Sequence, residues 1–208
     1  MKLAIINSSP KMKNSVSSLL INDLKQFLDN SIEISEINLN TDEAIEFGFT
    51  DALKNCDSAL IALPVYIDSV PSNLLYAMAK AKKEEIGKIK VYSIVNSGFT
   101  GGKNCEIALD IVKNWCKSCG FDYMGGVGYG GGGGLAPFRN LKPGEAEKES
   151  LLEAFKILSR GINRGEVFKN YYTSINIDAC TYKEYGEAGW RRAISKNGLT
   201  EEDLSRKV

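Results

Sequence analysis

The chain predicts an α/β fold: a doubly wound sheet of five parallel strands with helices on both faces, followed by a C-terminal extension. Three observations carry this prediction. Apolar runs alternate with stretches of helical periodicity five times along residues 1–164, the signature of repeated strand–helix units. Ser58-Ala-Leu-Ile-Ala-Leu63 is apolar almost without a break, as a central strand buried on both faces must be. The segments with unusual chemistry follow the first, third and fourth strands, at the carboxyl ends where such sheets bind ligands.

The first unit is Leu3 to Ile6, a short apolar run, then a turn of small, polar and cationic residues: Asn7, Ser8, Ser9, Pro10, Lys11, Asn14, Ser15 and Ser17. Val16, Leu19, Leu20, Leu24, Phe27 and Leu28 follow at helical spacing. A helix N-terminus presents unpaired N–H groups and a partial positive charge. Hydroxyls and a lysine around it suit a phosphate. Ser15 or Asn14 also suits an ordinary N-cap, and the turn alone leaves both readings open.

Ile32-Glu-Ile-Ser-Glu-Ile37 alternates and reads as a half-buried edge strand. Asn38 to Phe49 is polar and acidic, a connection, and Thr50 to Asn55 a short helix. After the central strand, Pro64 to Val70 is a loop. Pro71 suits a first helical turn, with Leu74, Leu75, Met78 and Ala79 behind it. Ile89 to Val95 is the fourth strand, and Asn96 to Lys103 a glycine-rich loop. Ile107, Ala108, Ile111, Val112 and Trp115 mark a helix. Phe121 to Val127 is the fifth strand, and Leu151 to Ile162 the last helix of the unit. Between them Gly125 to Gly134 holds eight glycines in ten positions. It reads either as a flexible connection or as a wall of bare backbone on the ligand rim, with Tyr129 as its one aromatic group.

Residues 165–208 form the extension. Phe168, Tyr171, Tyr172, Ile175 and Ile177 suit the cover of a sheet edge or of a partner subunit. Trp190 reads as a packing anchor, and Thr200-Glu-Glu-Asp203 as a capping box.

Composition narrows the function. Lys+Arg and Asp+Glu both number 26, so nothing points to nucleic acid or an anionic membrane. No apolar run could span a bilayer, and Leu3 to Ile6 is too short for a signal-peptide core. Five irregularly spaced cysteines argue against a disulfide framework and for a reducing cytoplasm. The absence of histidine removes Ser-His and Cys-His nucleophile pairs and every His-containing metal site. A borrowed cofactor is then the expected chemist.

Three local matches fail on context. Gly126-x-Gly128-x-x-Gly131 follows the fifth strand and opens no helix. Gly98 to Lys103 has the wrong spacing for a P-loop, with Asn104 in place of Ser or Thr. Cys116-x-x-Cys119 sits late in a helix, away from the exposed helix start that activates a redox pair.

Ser8-Ser9-Pro10-Lys11, then Pro64-x-Tyr66 with Pro71, then Ser97-Gly98 with Gly101-Gly102 resemble the three loops of the flavodoxin-like NAD(P)H-dependent FMN reductase superfamily. Order and spacing match across most of residues 1–164. The resemblance implies strand order 2-1-3-4-5, bound FMN and a homodimer. It implies phosphate contacts from Ser9, Lys11, Ser15 and Ser17. Pro64, Val65, Tyr66, Asn96, Ser97, Gly98 and Gly101 would make the remaining flavin contacts. Ser8 replaces a common glycine. The compact cysteine cluster of the family's iron–sulfur branch is lacking, with only Cys56 near its place, so no metal centre is expected. The reaction implied is hydride transfer from NAD(P)H to flavin, then reduction of a small acceptor such as a quinone, a nitro or azo compound, or another flavin. The alternatives are a flavodoxin-type electron carrier and a flavin-binding sensor without turnover. Such carriers tend to be strongly acidic, unlike this neutral chain.

Overall fold

The computed structural model describes residues 1–206. Its sheet has six parallel strands in the order β2-β1-β3-β4-β5-β6. They are β1 (Lys2–Asn7), β2 (Glu33–Asn38), β3 (Ser58–Pro64), β4 (Lys90–Asn96), β5 (Asp122–Gly130) and β6 (Tyr171–Ser174). The helices are α1 (Val16–Lys25), α2 (Phe49–Lys54), α3 (Ser72–Ala81), α4 (Glu106–Cys119), α5 (Glu149–Arg164) and α6 (Ala179–Lys196).

Alternation along the central strands divides the core. Leu3, Ile5, Leu60, Tyr92 and Ile94 face α1 and α5, where Leu20, Leu24, Phe155 and Leu158 meet them. Ile6, Ile61, Leu63, Val91 and Val95 face α2, α3 and α4, packing on Phe49, Leu74, Met78 and Trp115. The helices stop where the sequence supplies a left-handed residue: Gly120 after α4 and Gly165 after α5 have φ of 75° and 66°.

The sheet exceeds the expected five strands by one. β6 lies in the extension, pairing Val127 with Tyr171 and Gly130 with Ser174. At four residues it is too short for a period to stand out. β5 also runs further than expected, through the glycines to Gly130, because β4 and β6 hold it on both sides and override glycine's weak strand preference. Pro71 precedes α3 rather than opening it. The polar connection before α2 contains a wide helical turn at Ala44–Gly48.

α6 has no counterpart in the sequence reading, and it contradicts the anchor role for Trp190, which is 75% exposed. None of the described residues of α6 is buried. After it, the Asp203 carboxylate accepts from the Thr200 N–H at 2.8 Å, as the capping box requires. Among the described residues no helix is long and apolar enough to cross a membrane.

Candidate functional site

Parallel pairing brings the carboxyl ends of the strands to one rim. Asn7 stands beside Ala62, Pro64 beside Asn96, and Asn96 beside Tyr129. The loops after β1, β3 and β4 therefore meet there.

The turn from β1 into α1 is built on buried polar side chains. Asn7 donates to Ser18 Oγ and Asn38 Oδ1, each at 2.9 Å, and its Oδ1 accepts from the Ser9 N–H at 3.1 Å. Ser8 is tied through both N–H and hydroxyl to the Ala62 carbonyl, at 2.9 and 3.2 Å. Ser15 caps α1, accepting from the Ser18 N–H at 3.0 Å. Asn14, just before the cap, lies in the left-handed region, φ 55°. Ser17 Oγ accepts from Asn96 Nδ2 at 3.0 Å, and that amide also donates to the Leu63 carbonyl at 3.1 Å. One side chain of β4 thus ties α1 to the end of β3.

The chemistry of this donor set decides what it can hold. Ser9 and Ser17 accept from Lys11 N–H and Asn96, so their own protons remain to be given. The first amides of α1 have no intrahelical acceptor. Lys11 and Lys13 lie exposed beside them. Hydroxyl protons, helix-start amides and cations together suit an acceptor-only dianion, the phosphate end of FMN.

The loop after β3 begins with Val65, whose N–H donates to the Asn96 carbonyl at 2.8 Å. Tyr66 and Ser69 exchange backbone hydrogen bonds at 3.0 Å around Ile67 and Asp68, whose φ values are 50° and 54°. This tight turn presents Tyr66 half-exposed and Ile67 fully exposed at the rim. In the loop after β4, Ser97 is buried, and its N–H donates to the Tyr129 carbonyl at 2.9 Å. Gly98 and Gly101 are exposed. Of the expected site residues, Ser9, Ser15, Ser17, Asn96 and Ser97 are each buried, Asn96 and Ser17 are joined directly, and Pro64 and Val65 are half-buried. Lys11, Tyr66, Gly98 and Gly101 are exposed.

The glycine run departs from both expectations. It is no flexible connection, and its backbone faces protein. A Cβ on Gly130 would lie 2.3 Å from the Thr100 carbonyl oxygen, and one on Gly128 would lie 2.9 Å from that of Gly102. The N–H groups of Gly131 and Gly132 donate to the carbonyls of Phe99 and Ser97 at 2.6 and 2.8 Å. Bare backbone lets the β4 loop lie directly on β5. Tyr129 is fully buried instead of standing on a wall. Burial pushes its phenol far above the usual range, and its hydroxyl finds no partner among the described residues.

Beyond β5 the chain crosses to α1. Lys148, fully buried, donates to Asp23 Oδ2 at 2.7 Å and to the carbonyls of Leu141 and Arg139 at 2.8 and 3.4 Å. Desolvation raises the Asp23 carboxyl despite the opposing pull of Lys148. A cavity of about 280 Å³ opens beside the pair, lined by Asn14, Ser15, Asn22 and Arg139 among others.

Burial pushes the Cys56 thiol up to about 11 and that of Cys105 up to about 12, so neither is poised as a nucleophile. Sequence reasoning placed Asn7 in the turn without a role of its own and passed over Ser18 and Tyr182. Asn7 closes an apolar strand and Ser18 sits three residues after the cap, both visible in retrospect. Tyr182, whose hydroxyl donates to the Gly98 carbonyl at 2.7 Å, carried no signal because α6 itself carried none.

No protein-family model and no curated protein sequence matches the chain. Solved structures do. The azoreductase AzrA superposes with a TM-score of 0.55 at 14% identity, covering 77% of this chain and 100% of its own. The Trp repressor binding protein from Bacillus subtilis gives 0.54 at 15%, covering 75% and 96%. An FMN-dependent NADH-azoreductase from Bacillus anthracis, in complex with FMN, gives 0.50 at 17%, covering 79% and 99%. At these identities the likeness is one of fold.

Proposed function

We propose that this flavodoxin-like fold serves an FMN-dependent NAD(P)H oxidoreductase that reduces a small acceptor of the quinone, nitro, azo or flavin class. The observation that carries the reading is the donor set of the β1–α1 turn, with unspent hydroxyl protons above a helix start. The FMN complex of the similar B. anthracis azoreductase supports it, as does the likeness to an NADH:FMN oxidoreductase. Bound FMN would supply the chemistry, taking hydride from a nicotinamide and passing electrons on.

The chain's own residues bind and orient. Ser9, Ser15, Ser17 and the first amides of α1 hold the phosphate, and Lys11 adds charge from solvent. Asn96 keeps Ser17 aimed by occupying one of its lone pairs. Pro64, Val65 and Tyr66 bound one side of the ring site, and Ser97, Gly98 and Gly101 the other. No protein proton donor or nucleophile is required, which accords with a chain that has no histidine.

We further propose residues 1–164 as the flavin-binding unit, 165–208 as its extension, the cytoplasm as its compartment, and a homodimer as its assembly. The helix α6 would be the contact, since it exposes Tyr185 and Trp190 to 60% and 75%. Trp190→Ala should lower the mass measured by light scattering towards that of one chain.

The deciding experiment mixes flavin-loaded protein anaerobically with NADH or NADPH and follows the flavin absorbance. Rapid bleaching with either is expected. No bleaching within minutes would leave an electron carrier or a sensor.

A further inference from the structure

The Gly98–Phe99 peptide is held at both ends. Its N–H, on Phe99, donates to Ser97 Oγ at 3.1 Å. Its carbonyl, on Gly98, accepts from the Tyr182 hydroxyl at 2.7 Å. A peptide fixed by both of its polar groups cannot rotate without losing both bonds. On its other side Gly98 faces open space, with nothing within 4 Å of where a Cβ would stand.

Tyr182 comes from the extension, and its position is set with care. Ile175, next to β6 in sequence, is 5% exposed and donates its N–H to the Gly130 carbonyl at 3.0 Å. Asp178 caps α6 by accepting from the Thr181 N–H at 3.0 Å. The Tyr182 ring then lies on the glycine stretch. A Cβ on Gly134 would stand 2.8 Å from its Cε2, and one on Gly133 3.2 Å from its hydroxyl. The last glycines of the run are thus a bed for this ring. Beyond this first turn α6 runs outward, with Tyr185, Gly186, Gly189 and Trp190 all exposed.

We propose that Tyr182 is a positioning residue for the flavin ring: through the Gly98 carbonyl it fixes the peptide of the β4 loop that borders the ring site. The inference rests on the flavin reading above and deepens it. It makes the C-terminal extension part of the site's construction, acting on the ring and leaving the phosphate end alone.

The test uses the full chain and two flavins. FMN and riboflavin share the ring and differ by the phosphate. Dissociation constants for both, and the midpoint potential and absorption maximum of bound flavin, are measured for wild type, Tyr182→Phe, Gly134→Ala and the double variant. Tyr182→Phe removes only the hydroxyl. Gly134→Ala displaces the ring from behind and leaves the hydroxyl intact. Each single variant should weaken FMN and riboflavin by the same factor, about three- to tenfold for one lost hydrogen bond, and shift potential and absorption maximum. The double variant should be no worse than the poorer single one, since both act through one bond. Unchanged affinities, potential and spectrum in Tyr182→Phe would overturn the inference, as would a lowered melting temperature alone. Loss of FMN affinity without loss of riboflavin affinity would also overturn it. If the wild-type chain binds neither flavin, the flavin reading itself fails and this inference with it.

Discussion

The turn after β1 and the glycine stretch of β5 stand on the same rim and are built by opposite means. The turn crowds side chains together: Asn7, Ser8, Ser9, Ser15 and Ser17 are all buried, each fixed by hydrogen bonds. The glycine stretch removes side chains so that another backbone can lie against it. The turn ends with donor capacity to spare. In the stretch, the amides of Gly131, Gly132 and Gly134 donate within the protein. Two segments on one rim thus divide the work, one keeping donors free and the other supporting the loop after β4. Glycine at such a rim is therefore not by itself a sign of open space.

The largest expected effect lies just beyond both regions, where the segment after β5 is tied to α1. Lys148→Ala would leave the Asp23 carboxylate and two carbonyls without their buried cation. Breaking a buried pair on one side costs about 3–5 kcal/mol, to be read as a shift in the urea midpoint. A loss under about 1 kcal/mol would show that the segment after β5 is held to α1 by other contacts.

The next effects separate ligand chemistry from packing. Ser9→Ala should weaken FMN by about one to two decades, at roughly 1.5–3 kcal/mol for a charge-assisted hydrogen bond, and leave riboflavin unchanged. Lys11→Ala should do far less, since its side chain is exposed. Equal losses for both flavins would remove Ser9 from the phosphate site. Gly130→Ala should destabilise the apoprotein by about 1–3 kcal/mol through overpacking against the Thr100 carbonyl. Gly98→Ala, in open space, should stay within about 0.5 kcal/mol. If the two glycine variants unfold alike, the supporting role of the stretch is wrong. Ser15→Ala, which removes the cap of α1, should cost about 1 kcal/mol of stability.

The parts legible in the sequence were those with strong local signals. Ser58 to Leu63 could only be a central strand, and Leu20, Leu24 and their neighbours only an amphipathic helix. The serines after β1 announced a turn with spare hydroxyls. What stayed hidden depends on pairing at a distance. Glycines at 125–130 have no strand preference, and only β4 and β6 on either side make them a strand. β6 is four residues long. α6 carries Gly186 and Gly189 mid-helix and buries none of its described residues, so no apolar stripe marked it. Trp190 misled because large aromatic residues usually pack.

The lateness of β6 has a consequence for synthesis. Roughly 40 residues separate the end of β5 from the end of β6, a delay of several seconds at about 5–20 residues per second. During that interval β5 is the outer strand of the nascent sheet. A glycine-rich edge offers every N–H and C=O to a passing strand and has few side chains to fix its register. Neighbouring chains on a polysome would meet it in that state. Expression at high temperature, where translation and aggregation both quicken, should therefore lose more of this protein to insoluble material than its final stability suggests. Slowing initiation, which spaces the ribosomes, should recover it.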